Sequence, residues 1–137
     1  IKLDVDNHLI RELEVTTASL HDGEIDLVKK GDKSAYRDKG YFGKKLKAGN
    51  VEDMTMKRGT RAGKINGGEQ KRNKMISRIR APGERPFGVI KRVFNGGRTL
   101  VKTIERVKIK EIFKCFAFDL YQLVTLEKKK IAIAISN

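Results

Sequence analysis

Arg80, Glu84 and Lys91 are spaced so that one helical face would carry a carboxylate between two cations. At about 100° per residue, Ser77, Arg80, Glu84 and Lys91 fall in a narrow arc. Ile76, Ile79, Phe87, Ile90 and Phe94 form an apolar stripe beside it. A helix docked by that stripe would hold Glu84 at the edge of a buried surface. In chemical terms a carboxylate is a hard oxygen donor, Arg a bidentate fork and Lys a point charge. The ordinary alternative is a solvated Arg80–Glu84 ion pair, worth about 0.3–0.5 kcal/mol.

The helix that positions these groups cannot be regular. Pro82 and Pro86 each lack a backbone donor and Gly83 lies between them, which predicts a kink or restart near Glu84. The helical pattern covers residues 69–94, and Asn95, Gly96 and Gly97 end it. Upstream, residues 1–6 and 9–16 read as a hairpin turned at Asp6, Asn7 and His8. Asp22 is suited to cap a short helix through Lys30, and Gly31 and Asp32 stop it before a short buried strand over residues 34–36. Strand, helix, strand predicts a parallel pair with a right-handed crossover. Catalytic groups in such sheets gather past the carboxyl ends of strands, where Asp38 and the His21, Asp22 pair fall. Asp38, Lys39 and Gly40 are also the composition of an ordinary turn.

A helix through about residue 48 and a last strand over residues 54–56 follow. Residues 57–68 place Lys57, Arg58, Arg61 and Lys64 among four glycines, a basic loop. Thr103 caps a final helix whose expected core side is Ile104, Val107, Ile112, Phe113, Phe116, Leu120 and Leu123. Cys115 reads as core. Lys128, Lys129 and Lys130 open a basic and apolar tail, residues 128–137, read as a frayed strand.

Charge narrows the partner. The chain of 137 residues carries a formal +14. Residues 1–38 hold 6 Lys or Arg against 9 Asp or Glu, and residues 39–137 hold 25 against 8, so the later segment alone carries +17. Such an imbalance points to a polyanion, most simply nucleic acid. With 1 cysteine, an internal disulfide framework and a Cys-rich zinc site are excluded. There is no Gly-rich phosphate loop followed by Lys-Ser/Thr, no segment as apolar as a membrane span and no secretory pattern. A cytoplasmic protein with no membrane partner is expected.

The Arg80, Glu84, Lys91 spacing, with the surrounding residues 79–92, resembles the signature around the last catalytic carboxylate of DDE transposases encoded by bacterial and archaeal insertion sequences. Ser77 stands where many members carry Tyr. The stretch Tyr36, Arg37, Asp38, Lys39, Gly40, Tyr41 resembles the family's middle catalytic aspartate, and residues 15–22 and Lys2 with Asp6 resemble earlier stretches. The resemblance runs from residue 2 to about 125. It implies an α/β fold: a ribonuclease-H-like mixed sheet flanked by helices, over residues 1–127.

It also implies DNA transposition by metal-dependent phosphoryl transfer, with Asp38 and Glu84 as catalytic metal ligands for Mg²⁺ or Mn²⁺, two ions in the complete enzyme. DNA contacts are expected from Arg80, Lys91, Lys57, Arg58, Arg61, Lys64, Arg85 and Arg92. The partners are double-stranded DNA, as transposon ends and target, and further copies of the chain on DNA, in a nucleoid-associated setting. The family's first catalytic aspartate lies on a first, central strand, upstream of what matches Lys2 to Asp6. The chain is therefore expected to be a truncated form, inactive alone. The alternative is a non-catalytic basic nucleic-acid-binding protein with Asp38 and Glu84 as surface carboxylates.

Overall fold

The computed structural model describes residues 1–17, 19, 20, 24–59 and 63–136, in a mixed α/β arrangement with two small sheets. The chain forms two compact units, one of Ile1–Thr17 with Gly83–Asn137 and one of Ala18–Pro82.

In the first unit, β1 (Lys2–Leu3) and β2 (Ile10–Glu12) pair antiparallel as the expected hairpin, shorter than the pattern suggested. Asp4 closes the turn by accepting from the Asn7 amide at 2.6 Å and pairing with Arg11. Two bonds tie this hairpin to the long helix α3 (Ile104–Ser136). Ile10 N donates to Asp119 Oδ1 at 2.8 Å, and Gln122 Nε2 donates to Asn7 O at 2.8 Å. α2 (Arg85–Arg92) also packs on α3. Gly96 N reaches back to Ile90 O at 2.8 Å, and a Cβ on Gly96 would lie 2.7 Å from Ile90 Cγ2, so only glycine permits that return.

In the second unit, β3 (Ser34–Arg37) pairs parallel with β4 (Glu52–Thr55), Arg37 opposite Thr55. α1 (Gly67–Arg80) packs on β3, with Ile76 fully buried. Asn66 caps α1 by accepting from Glu69 N at 2.8 Å.

Several expectations need correction. The described residues 25–30 are not helical. Asp26 takes the Val28 and Lys47 amides and Asp32 takes the Lys29 amide, so side chains hold the backbone that a helix would have used. The cap expected at Asp22, with His21, lies outside the described residues. The strand at 34–36 is present, but its parallel partner is β4 and not the hairpin, where Asp119 already occupies the Ile10 amide. The helix expected through residue 48 is one 3-10 turn, Lys39–Tyr41. Gly43 at φ +82° ends it, and the Lys44 carbonyl turns to the Arg37 guanidinium.

The break near Glu84 is present: α1 ends, a 3-10 turn Ala81–Glu84 follows, and α2 restarts with Pro86 buried in its first turn. That break divides the apolar stripe, leaving Phe87 58% exposed. Thr103 caps α3 as expected, its Oγ1 accepting from Arg106 N at 3.4 Å. The face of α3 that packs is Cys115, Phe118 and Gln122, while Ile104, Ile112, Phe113, Phe116, Leu120 and Leu123 are exposed. Apolar residues lie on both sides of this helix, and only one side meets β2 and α2. Residues 128–136 continue α3 instead of forming a strand; Glu127 and Lys130 pair on it at 2.9 Å.

Candidate active-site residues

Asp38 sits where β3 ends. Its Oδ1 accepts from Gly40 N at 2.8 Å, capping the 3-10 turn, and its Oδ2 lies 3.6 Å from Arg80 Nη2. Both side chains are partly exposed, Asp38 at 47% and Arg80 at 34%. The pairing follows from how α1 is attached. Asn73 is buried and clamps the Lys57 backbone both ways, Lys57 N donating to its Oδ1 at 2.9 Å and its Nδ2 donating to Lys57 O at 2.8 Å. Arg72 donates to the Thr55 carbonyl at 2.9 Å and the Asp53 carbonyl at 3.2 Å. With the middle of α1 fixed to β4 and its exit, the helix's last residue, Arg80, falls at the carboxyl edge of β3.

Under Asp38 lies a group that motif reasoning did not single out. Arg37 is 9% exposed; its Nε donates to Thr55 Oγ1 at 2.8 Å, its Nη2 to Lys44 O and Asp53 Oδ2, and its guanidinium stands 5.5 Å from the Tyr41 ring centre. Burial pushes the Asp53 carboxyl up, but the Thr55 hydroxyl and amide and the Arg37 charge outweigh it and hold the group below its ordinary value. The network makes the loop after β3 a defined platform. Its one legible signal is register, since Arg37 and Thr55 face each other across the parallel pair.

Glu84 and Lys91 belong to the other unit. Glu84 closes the 3-10 turn before α2, exposed and without a side-chain capping bond. Lys91 lines an open cavity of about 480 Å³ together with Ile1, Leu13, Val15, Ile90 and Cys115. Burial raises the Cys115 thiol, and the charges of Glu111 and Asp119 raise it further, so it stays protonated and unreactive at neutral pH. Arg85 is half-buried and Arg92 exposed on α2. Lys57, Arg58 and Lys64 are exposed, with Lys57 Nζ 2.6 Å from Glu69, and Arg61 lies outside the described residues. Among the described residues no three His, Cys, Asp or Glu side chains form a metal-holding cluster. No helix among them is long and apolar enough to cross a membrane.

A short parallel strand pair ending in a capped aspartate, followed by a helix–break–helix that carries an Arg, a Glu and a Lys, defines a mixed α/β protein. The family model of the transposase DDE domain matches residues 1–120, and the chain belongs to that family. The family acts on DNA in transposition and uses divalent metal ions. Neither the comparison with curated proteins nor that with solved structures gives a match.

Proposed function

We propose that this chain has a ribonuclease-H-like catalytic fold, and that its chemistry is phosphoryl transfer at transposon ends. The observation that carries the reading is Asp38, set by the Gly40 amide at the end of β3 with Arg80 beside it, inside a transposase-family match. Asp38 and Glu84 are hard oxygen donors, exposed and not committed to a buried ion pair, so both fit Mg²⁺ or Mn²⁺. When bound, such ions activate a water or a 3′-hydroxyl and stabilise the leaving oxygen.

The chain's own groups do the remaining work. Asp38 keeps one oxygen on the Gly40 amide and offers the other outward. Arg80 neutralises Asp38 in the free protein and can turn to a phosphate oxygen when a cation takes the carboxylate. Lys91, Arg85 and Arg92 on α2, with Lys57, Arg58, Arg61 and Lys64, hold the DNA backbone as counterions are released. The duplex, in a nucleoid setting, is the partner.

Metal binding decides the reading. Calorimetric titration with Mn²⁺ is expected to show binding that weakens at least about tenfold in Asp38→Asn and in Glu84→Gln, while duplex DNA affinity is kept or improved by the lost negative charge. Metal binding unchanged in both variants would favour the basic, non-catalytic alternative. That alternative draws on the described residues holding no cluster of three His, Cys, Asp or Glu side chains.

A further inference from the structure

Arg37 ends β3 as a buried residue, immediately before Asp38. Stability alone does not account for an arginine there, because a well-packed apolar side chain fills a buried position as well as an ion pair does. Its hydrogen bonds show what it holds. Toward β4, Nε donates to Thr55 Oγ1 and Nη2 to Asp53 Oδ2, each at 2.8 Å. Nη2 also donates to the Lys44 carbonyl at 2.8 Å. The β4 acceptors are themselves fixed, since Asp53 Oδ1 takes the Thr55 amide at 2.9 Å and the Thr55 hydroxyl as well. A hydroxyl has a single proton, so with that proton on Asp53 its lone pairs are left for the guanidinium. One side of the fork is anchored to the sheet, and the other closes on the chain that leaves it.

The segment enclosed between Arg37 and Lys44 contains Asp38. Tyr41 N donates to Asp38 O at 3.2 Å, Phe42 N to Lys39 O at 3.2 Å and Lys44 N to Tyr41 O at 3.0 Å, so each bond leans on the next. Asp38 Oδ1 takes the Gly40 amide, and Oδ2 faces Arg80. Past Lys44 Cα the chain is tethered by the exposed Lys44–Glu24 pair and by Lys47 N on Asp26 Oδ2, neither of which touches β3 or β4.

We infer that Arg37 is a positioning residue for cation binding at Asp38: its guanidinium ties the loop of residues 38–43 to β4 and so fixes where Asp38 Oδ2 lies. The inference rests on the reading of Asp38 as a ligand for Mg²⁺ or Mn²⁺. Mg²⁺ takes oxygen ligands at about 2.0–2.1 Å in near-ideal octahedral geometry, and a site loosened by more than about 0.5 Å binds poorly. Lysine would keep the charge of Arg37 but not the planar fork that meets a hydroxyl, a carboxylate and a carbonyl together.

Two measurements on the full chain test this: amide hydrogen exchange followed by NMR without metal, and calorimetric titration with Mn²⁺. Arg37→Lys should speed exchange of the Gly40 and Lys44 amides at least about tenfold, while the Ile76 amide in α1 keeps its rate. The same variant should weaken Mn²⁺ binding about tenfold or more. Thr55→Val removes the Nε acceptor and keeps the branched shape, and should move both readouts the same way by about threefold. It decides the matter if Arg37→Lys fails to fold. A purely structural arginine would lower protection at Ile76 as much as at Gly40, and that result would overturn the proposal. So would an unchanged Gly40 rate, or Mn²⁺ affinity kept in Arg37→Lys and Thr55→Val but lost in Asp38→Asn. Mn²⁺ binding unchanged in Asp38→Asn would remove Asp38 as a ligand, and this proposal with it.

Discussion

The Arg80 guanidinium lies 3.6 Å from the Asp38 carboxylate, joining the last residue of α1 to the residue after β3. Sequence spacing pairs Arg80 with Glu84 along one helix, and the break at Pro82 and Gly83 removes that option. Because both partners are partly exposed, the ion pair contributes little to stability. Arg80→Gln should change the unfolding free energy by less than about 1 kcal/mol in urea titrations. If Arg80 meets phosphate, as proposed, the same variant should reduce the salt slope of duplex binding by about 1.

Asn73 is a different case, because it is buried and satisfies both backbone groups of Lys57. Asn73→Ala leaves a buried N–H and C=O without partners. It should cost about 2–4 kcal/mol by chemical denaturation, with Asp38 losing its alignment to Arg80 as a consequence. Loss of less than about 0.5 kcal/mol would mean that water replaces the amide at no cost.

Two phenylalanines two residues apart on α3 should behave oppositely. Phe118 is fully buried and Phe116 is 59% exposed. Phe118→Ala should lose about 3–5 kcal/mol through the cavity it opens. Phe116→Ala should stay within about 0.5 kcal/mol.

Acid titration separates two aspartates by sign. Asp53 is held below the unfolded value of 3.8 once Thr55 and Arg37 outweigh its burial. Its contribution is present above 3.8 and disappears as pH falls through the lower folded value. Asp53→Asn should therefore weaken the fold at neutral pH and converge with the parent in acid. Asp119 is raised above 3.8, first by burial and also by Asp4, against the Ile10 amide and Arg11. Its contribution is present below 3.8 and is lost as pH rises through the folded value. Asp119→Asn, which keeps an acceptor for the Ile10 amide, should match the parent in acid and exceed it near neutrality. Urea midpoints recorded from about pH 3 to about pH 7 distinguish the two.

Local chemistry was legible and long-range choice was not. The Asn95, Gly96, Gly97 stop, the Thr103 cap, the break near Glu84 and the turn at Asp38 all follow from which backbone groups a residue can offer. The absent helix before Lys30 hides in Asp26, whose carboxylate can cap a helix or hold a loop, and only tertiary contact with the Lys47 amide decides. α3 misleads for another reason: apolar residues line both of its sides, so periodicity finds a helix but cannot say which side β2 and α2 will meet. At the candidate site, Asp38 and Glu84 are expectations from the motif. Arg37 is not, because its role depends on Thr55 and Asp53 arriving beside it through strand register.

The two bonds from the hairpin to α3 span 109 and 115 residues of chain. During synthesis at about 5–20 residues per second, the hairpin must wait roughly 5–20 s for Asp119 and Gln122 to be made. A two-stranded hairpin alone is marginal at best in water, so its first residues stay open to solvent through that interval. The second unit, contiguous from Ala18 to Pro82, has every partner it needs long before then. Its folding can precede the closing of the first unit, whose hairpin is made early and secured late.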